Sequence, residues 1–281
     1  VPLGHATEAQ IGARIGEKKL RFDDLFQHAD AVAGACPEGL SRVHTMMGEE
    51  CLASRPGVEV LASRLETRRA AALAGATTEL RKAEGLAWDP RRRRVYLAIS
   101  EIGAGMLAEP QRPADHLALH ANPCGAVFAL SGLQAGVSDT TGAPMPGESV
   151  ATRVQAVLSG RPEGEACAVD AIANADNLGF VPEADWLLVA EDTHKHVNSV
   201  LWAWEPDTGA LHRLFTAPAG GEVTGMSWVP ELAGAGWIPL SVQHPFVPAP
   251  AGLTGDKRTF VGVIGPFPAR ADWPALTPEA R

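Results

Sequence analysis

A short pattern restarts three times along this chain: a polar residue, a strand-length stretch, a proline turn and a second strand-length stretch. Glu84 to Pro90 (EGLAWDP) leads to Val95–Ser100, Asp176 to Pro182 (DNLGFVP) leads to Trp186–Glu191, and Thr224 to Pro230 (TGMSWVP) leads to Trp237–Val242. A β-sandwich has no reason to restart one hairpin, whereas a propeller blade repeats it and adds outer strands. Ala126 to Leu130 and Ser199 to Trp204 read as such strands, the second closed by the turn Pro206 to Gly209. The expectation is therefore an all-β chain, a β-propeller with its blade units over residues 84 to 265. Three units fall short of the roughly four blades of the smallest common propellers. Further blades are expected from residues 1 to 83, 104 to 121 or 135 to 164, or from sequence outside this chain, which makes residues 1 to 281 one propeller domain or its C-terminal portion. Residues 135 to 164, rich in Gly, Ser, Thr and Pro, read as a long surface connection.

Residues 1 to 83 read as a less regular part with one helix: Val58, Leu61, Leu65 and Ala72 recur at helical spacing over residues 58–74, and Gly75 is a natural stop. Ile11 to Phe26 shows no clear period, and Pro37, Glu38 and Gly39 mark a loop. A hydrophobic content of 46% allows a continuous core. The net charge of −9 argues against general affinity for nucleic acid, and no apolar run approaches the roughly 20 residues of a membrane span. Val1 to His5 shows no export signal, but a chain without an initiator Met says little about its compartment. Arg91 to Arg94, after Asp89 and Pro90, reads as a solvated hairpin, with a phosphate site as the alternative. The four cysteines show no CxxC spacing; two local bridges, Cys36 to Cys51 and Cys124 to Cys167, are expected over free buried thiols.

Residues at the starts of inner blade strands point into the mouth of the central channel. Glu84, Asp176 and Glu222 fall at or near such positions, and converging carboxylates repel one another unless a cation sits between them. Asn177 adds a neutral carbonyl, and Glu191 and Asp192, at the end of a second strand, could complete the ligand shell. The plainer reading is that each acid caps a turn; recurrence favours the site. His244 lies just beyond the third unit, while His194 and His196 follow Asp192; each could bind metal or move a proton. No serine-hydrolase elbow, P-loop or dinucleotide fingerprint is present, so a metal-activated water is the simpler catalytic device.

Taken together, Ala76 to Thr78, Lys82 to Gly85, Asn122 to Gly125, Ala175 to Leu178, Glu191 and Asp192, Leu214 to Pro218, Gly221 to Gly225 and Gln243 to Pro245 keep their order over residues 57 to 246. In this they resemble the PhoX-type alkaline phosphatases, a bacterial family of secreted, metal-dependent phosphomonoesterases with a six-bladed β-propeller. The resemblance implies calcium and ferric iron at the channel mouth, with Glu84 similar to a family ligand and Asp176 and Glu222 similar to other acids of that cluster. It also implies small phosphate-ester substrates, a monomer and a periplasmic or secreted location. Lys82 and His244 are the candidate catalytic residues, and Glu84, Asp176, Asn177, Glu191, Asp192 and Glu222 the candidate metal ligands. Two departures stand out. Lys82 replaces a family Arg, losing its bidentate fork, and nothing matches the upstream segment whose cysteine binds iron. A calcium-dependent lactonase or esterase, or a calcium-stabilised binding propeller without chemistry, are the rival readings.

Overall fold

The computed structural model describes residues 3–17, 20–32, 34–45, 48–112, 115–139, 142–248 and 251–268. The chain divides into two compact units: residues 1–80 with 104–119 and 134–150, and residues 81–103 with 120–133 and 151–281.

The first unit holds α1 (Glu8–Glu17), α2 (Phe22–Leu25), β1 (Phe26–Ala29), β2 (Ser41–Thr45), β3 (Gly48–Ser54), α3 (Glu59–Leu65) and α4 (Thr67–Leu73). Its strands form one antiparallel sheet in the order β1-β3-β2, and Phe26 packs with Leu25, Leu61 and Ala62 in a small core. A single helix over residues 58–74 is not what forms: the backbone leaves helical geometry at Glu66 (φ −133°, ψ 52°), separating α3 from α4. Here the Glu66 carboxylate pairs with Arg69 at 2.6 Å, and Arg69 also reaches Glu50 of β3 at 3.0 Å. The sequence expectation of one helix in an irregular segment is thus corrected to four helical segments and a sheet among the described residues. The helix α1 shows no clear stripe because nearly all its side chains are exposed.

Among the described residues the second unit holds three antiparallel sheets and a two-stranded ribbon. The first sheet runs β4 (Ala83–Asp89), β5 (Arg94–Ile99), β6 (Ala126–Ser131) and β7 (Arg153–Ser159). The ribbon pairs β8 (Pro162–Glu163) with β9 (Ala166–Cys167). The second sheet runs β10 (Ala175–Val181), β11 (Trp186–Glu191), β12 (Val200–Trp204) and β13 (Leu211–Thr216). In the third, β14 (Glu222–Thr224) and β15 (Val229–Leu232) pair with the two ends of β16 (Ala235–Gln243), whose other edge takes β17 (Phe260–Phe267). Among the described residues the fold is all-β in this unit; the first two sequence hairpins form as β4–β5 and β10–β11, whereas the stretch from Thr224 to Pro230 is not one strand, since it breaks between β14 and β15 and Pro230 lies within β15.

Alternation decides how the sheets stack. Tyr96, Ala98, Val127 and Ala129 point from the first sheet onto Leu187, Val189, Val200 and Trp202 of the second. The opposite face of the second sheet puts Leu188, Ala190 and Leu201 against Ile238, Leu240 and Val242 of the third. A strand with both faces covered reads as an apolar run, as β12 does throughout and β11 does up to its last residue, the buried Glu191. Part of the expected surface connection, residues 135 to 164, is instead the edge strand β7, whose mostly exposed residues carry little apolar signal. Nor is the arginine run only solvated. The Arg92 guanidinium, 15% exposed, sits between Asp89 at 3.1 Å, Asp207 at 2.7 Å and Asp185, clamping the first sheet's hairpin to turns of the second. Arg94 stacks on the Tyr96 ring at 4.8 Å.

Candidate functional site

The strands β4 and β10, each at one end of its sheet, carry the same irregularity. Ala83 pairs with Ile99 and Leu86 with Leu97, so three steps on β4 oppose two on β5; Ala175 with Glu191 and Leu178 with Val189 repeat this on β10. A bulge of this kind turns a side chain out of strict alternation, and the residues within the bulges are Glu84 with Gly85 and Asp176 with Asn177. The strands touch there: a Cβ on Gly85 would lie 2.4 Å from the Asp176 carbonyl oxygen and 2.7 Å from the Leu178 nitrogen. Asn177 links the second sheet to the third, its Oδ1 accepting the Thr224 hydroxyl and the Gly225 N–H at 3.0 Å each. That oxygen is therefore spent on strand lacing.

On β14, Glu222 accepts from Gln243 Nε2 at 3.1 Å and faces His244 Nε2 at 3.3 Å. His244 holds a positive φ of 33°, and its Nδ1 lies 3.1 Å from the carbonyl oxygens of both Gly220 and Val247. Carbonyls only accept, so Nδ1 carries a proton, and in the neutral ring the Nε2 lone pair is left for a cation. This is how metal-binding imidazoles are commonly oriented. Ligand atoms of Asp192, Glu222 and His244 all lie within 4.8 Å of one another. Lys82 Nζ stands 3.6 Å from Glu84 Oε1, and Ser100 Oγ is 3.5 Å from the same oxygen.

Four carboxylates feel one another at this place. Burial, then the charges of Glu84, Glu222 and Asp192, push the Asp176 carboxyl up to about 6, against a partial offset from Asn177. Burial and Asp192 raise Glu222, which His244 partly offsets. Burial works against a charged His244, but the Gly220 carbonyl and Glu222 outweigh it and hold the imidazole above its ordinary range. Mutual repulsion of this kind is what a cation relieves. The donors are mainly carboxylate oxygens, which suit a hard cation such as calcium, with one imidazole that also suits iron. No thiolate is on offer, since Cys36 pairs with Cys51 and Cys124 with Cys167.

The structure brings ligand atoms of Asp192, Glu222 and His244 within 4.8 Å of one another and sets Asp176 where the charges of Glu84, Glu222 and Asp192 reach it, with Lys82 beside Glu84. It does not bring Glu191. That side chain is fully buried and turned into the second sheet, where it accepts from the Ala173 and Val200 N–H groups, from Trp202 Nε1 and from His196. His196 is thereby a buried partner of Glu191, and His194 is exposed on the same loop. The sequence reading missed Asn174. Its backbone is left-handed (φ 46°), its Nδ2 donates to the Ser100 and Pro123 carbonyls, and its Oδ1 accepts from Thr193 beside Asp192. An Asn two residues before the bulge was the only available signal, since Asn tolerates positive φ.

Stacked antiparallel sheets whose strand ends and adjoining loops carry carboxylates, an imidazole and a lysine define a β-sheet scaffold with a candidate cation site. Among solved structures, the fold matches Pseudomonas fluorescens PhoX in complex with vanadate, a transition state analogue, with a TM-score of 0.51 and 19% identity, covering 85% of this chain. The fold is PhoX-like, and the match covers 43% of the PhoX chain, less than half its length. No protein-family model matches the sequence, and neither does a curated protein.

Proposed function

We propose that the acid and imidazole cluster binds metal, calcium at its oxygen-rich part and iron where His244 contributes, and that this chain belongs to a metal-dependent phosphomonoesterase of the PhoX kind. In this reading the three sheets are propeller blades, Glu84, Asp176, Asp192 and Glu222 are ligands, and the protein works in the periplasm or outside the cell, where disulfides persist. The observation that carries it is the meeting of Asp192 and Glu222, within 4.8 Å, with an imidazole whose Nδ1 is tied to carbonyls, while the charges of Glu84, Glu222 and Asp192 help push Asp176 up to about 6. The bound cations would neutralise the phosphoryl oxygens and lower the pKa of an oxygen nucleophile. Lys82, half exposed beside Glu84, would place a positive charge where a phosphate must arrive. His244 Nε2 would hold or pass a proton at the edge of the cluster when it carries no metal. The vanadate complex of the fold neighbour favours phosphoryl chemistry over lactone or ester hydrolysis as the starting assay.

The test is elemental analysis of the purified chain together with turnover of an aryl phosphate, before and after chelation. Calcium and iron with chelator-sensitive turnover are expected. Calcium without turnover would end the phosphatase reading and leave a calcium-stabilised binding scaffold. A protein that takes up no metal would end both.

A further inference from the structure

A cavity of about 390 Å³ opens beside the cluster, between the loop that follows Asp192 and the segments around Gly220 and Pro248. Its walls continue directly from the ligand candidates. Thr193 follows Asp192 in sequence, Gly220 precedes Glu222 by two residues and gives its carbonyl to His244, and Pro248 follows the Val247 whose carbonyl also meets that ring. Thr193 is tied in the wall on both sides, its hydroxyl donating to Asn174 Oδ1 at 2.6 Å and accepting from the Lys195 N–H at 2.8 Å.

The lining has a sign. In a chain of net charge −9, the described residues around this cavity include Lys195 and His194 and no Asp or Glu. Lys195 Nζ gives one hydrogen bond, to the Glu165 carbonyl oxygen at 2.9 Å. An ammonium has three donors, so two remain for a guest. Val197 and Pro248 supply apolar wall. A volume of this size falls within the range of small-molecule sites.

We infer that this cavity is the subsite for the alcohol part of the substrate, and that it selects phosphate monoesters whose alcohol part carries a second anion, a carboxylate or another phosphate, held by Lys195. The inference rests on the phosphatase reading for its reacting end and adds the substrate class.

Binding of two inert analogues separates the two ideas: benzylphosphonate, and the same compound with a ring carboxylate, titrated calorimetrically into the full chain with calcium present. A charge-assisted hydrogen bond predicts about tenfold tighter binding of the carboxylated compound. That ratio should fall to about one in Lys195→Met and be kept in Lys195→Arg. Equal affinities in the starting protein, a preference that survives Lys195→Met, or no binding of either compound would overturn the subsite. Turnover of an aryl phosphate reports separately on the phosphatase reading: absent turnover with a Lys195-dependent preference would remove the chemistry and keep the subsite as a binding site for such dianions.

Discussion

Glu191 and Glu222 are the same side chain at the end of one strand and the start of another, and burial alone gives them different work. Glu191 receives two backbone N–H groups and the Trp202 indole N–H at 2.6 to 3.0 Å, in addition to its contact with His196. Replacing it with Ala strands these donors in the interior, so Glu191→Ala should cost about 3–5 kcal/mol, measured by urea unfolding. A loss below about 1 kcal/mol would show that water reaches the site. Asp176 predicts the opposite kind of effect. Its folded pKa, about 6, lies above its unfolded value of 3.8, so the folded state of the metal-free protein binds the extra proton between them. That contribution is full below the unfolded value and is lost as pH rises through about 6. In chelator, the urea midpoint should fall across this window, calcium should restore it above the window, and Asp176→Asn should flatten the slope. A metal-free midpoint that rises from pH 4 to 7 with Asp176 present and is unchanged in Asp176→Asn would remove this carboxyl from the coupled set.

At the scale of elements, the hairpins were legible because alternation, a proline turn and a second apolar run coincide in one short stretch, as in Glu84 to Ser100. The strand β7 was not: RVQAVLS lies on an edge, exposed along most of its length, and edge strands need no apolar pattern. The break at Glu66 was hidden for another reason, since TRRAAAL has good helix formers and only the ion pairs to Arg69 mark the place. The recurrence of acids could be read from sequence, which singled out Glu84, Asp176 and Glu222, but not that Glu191 turns into the sheet or that β4 and β10 bulge, because only strand pairing reveals these. Gly85 tests this. A methyl group there would press on the Asp176 carbonyl and the Leu178 nitrogen, both backbone atoms that cannot rotate away. Gly85→Ala should therefore cost about 1–3 kcal/mol and weaken calcium binding, because β4 and β10 must separate at the bulges that carry Glu84 and Asp176. Unchanged stability and calcium affinity would mean that the strands lie further apart.

Across the whole molecule, each compact unit contains one disulfide. Cys36 and Cys51, 15 residues apart, join a loop of the first unit to β3, and Cys124 and Cys167, 43 residues apart, join the approach to β6 with β9 in the second. The loop this second bridge closes contains β6 and β7, and the link ties the approach to the first sheet to the ribbon that leads into the second sheet. Loop-closure entropy makes it the stronger staple, about 4 kcal/mol against about 3 for the shorter loop. A Cys124→Ala, Cys167→Ala double variant should thus lose more stability than its Cys36→Ala, Cys51→Ala counterpart, and the loss should fall on the sheet-rich unit that carries the acid cluster. Calcium affinity should drop with it, whereas loss of the first bridge should leave that affinity close to its starting value. Hydrogen exchange on the two variants, with peptide mapping of the unreduced protein to establish the pairs, checks both statements. A mixed pairing, such as Cys51 with Cys124, would contradict the chain path itself, and equal protection of β6 and β9 with and without their bridge would show that packing between the sheets, and not the staple, holds the site in place.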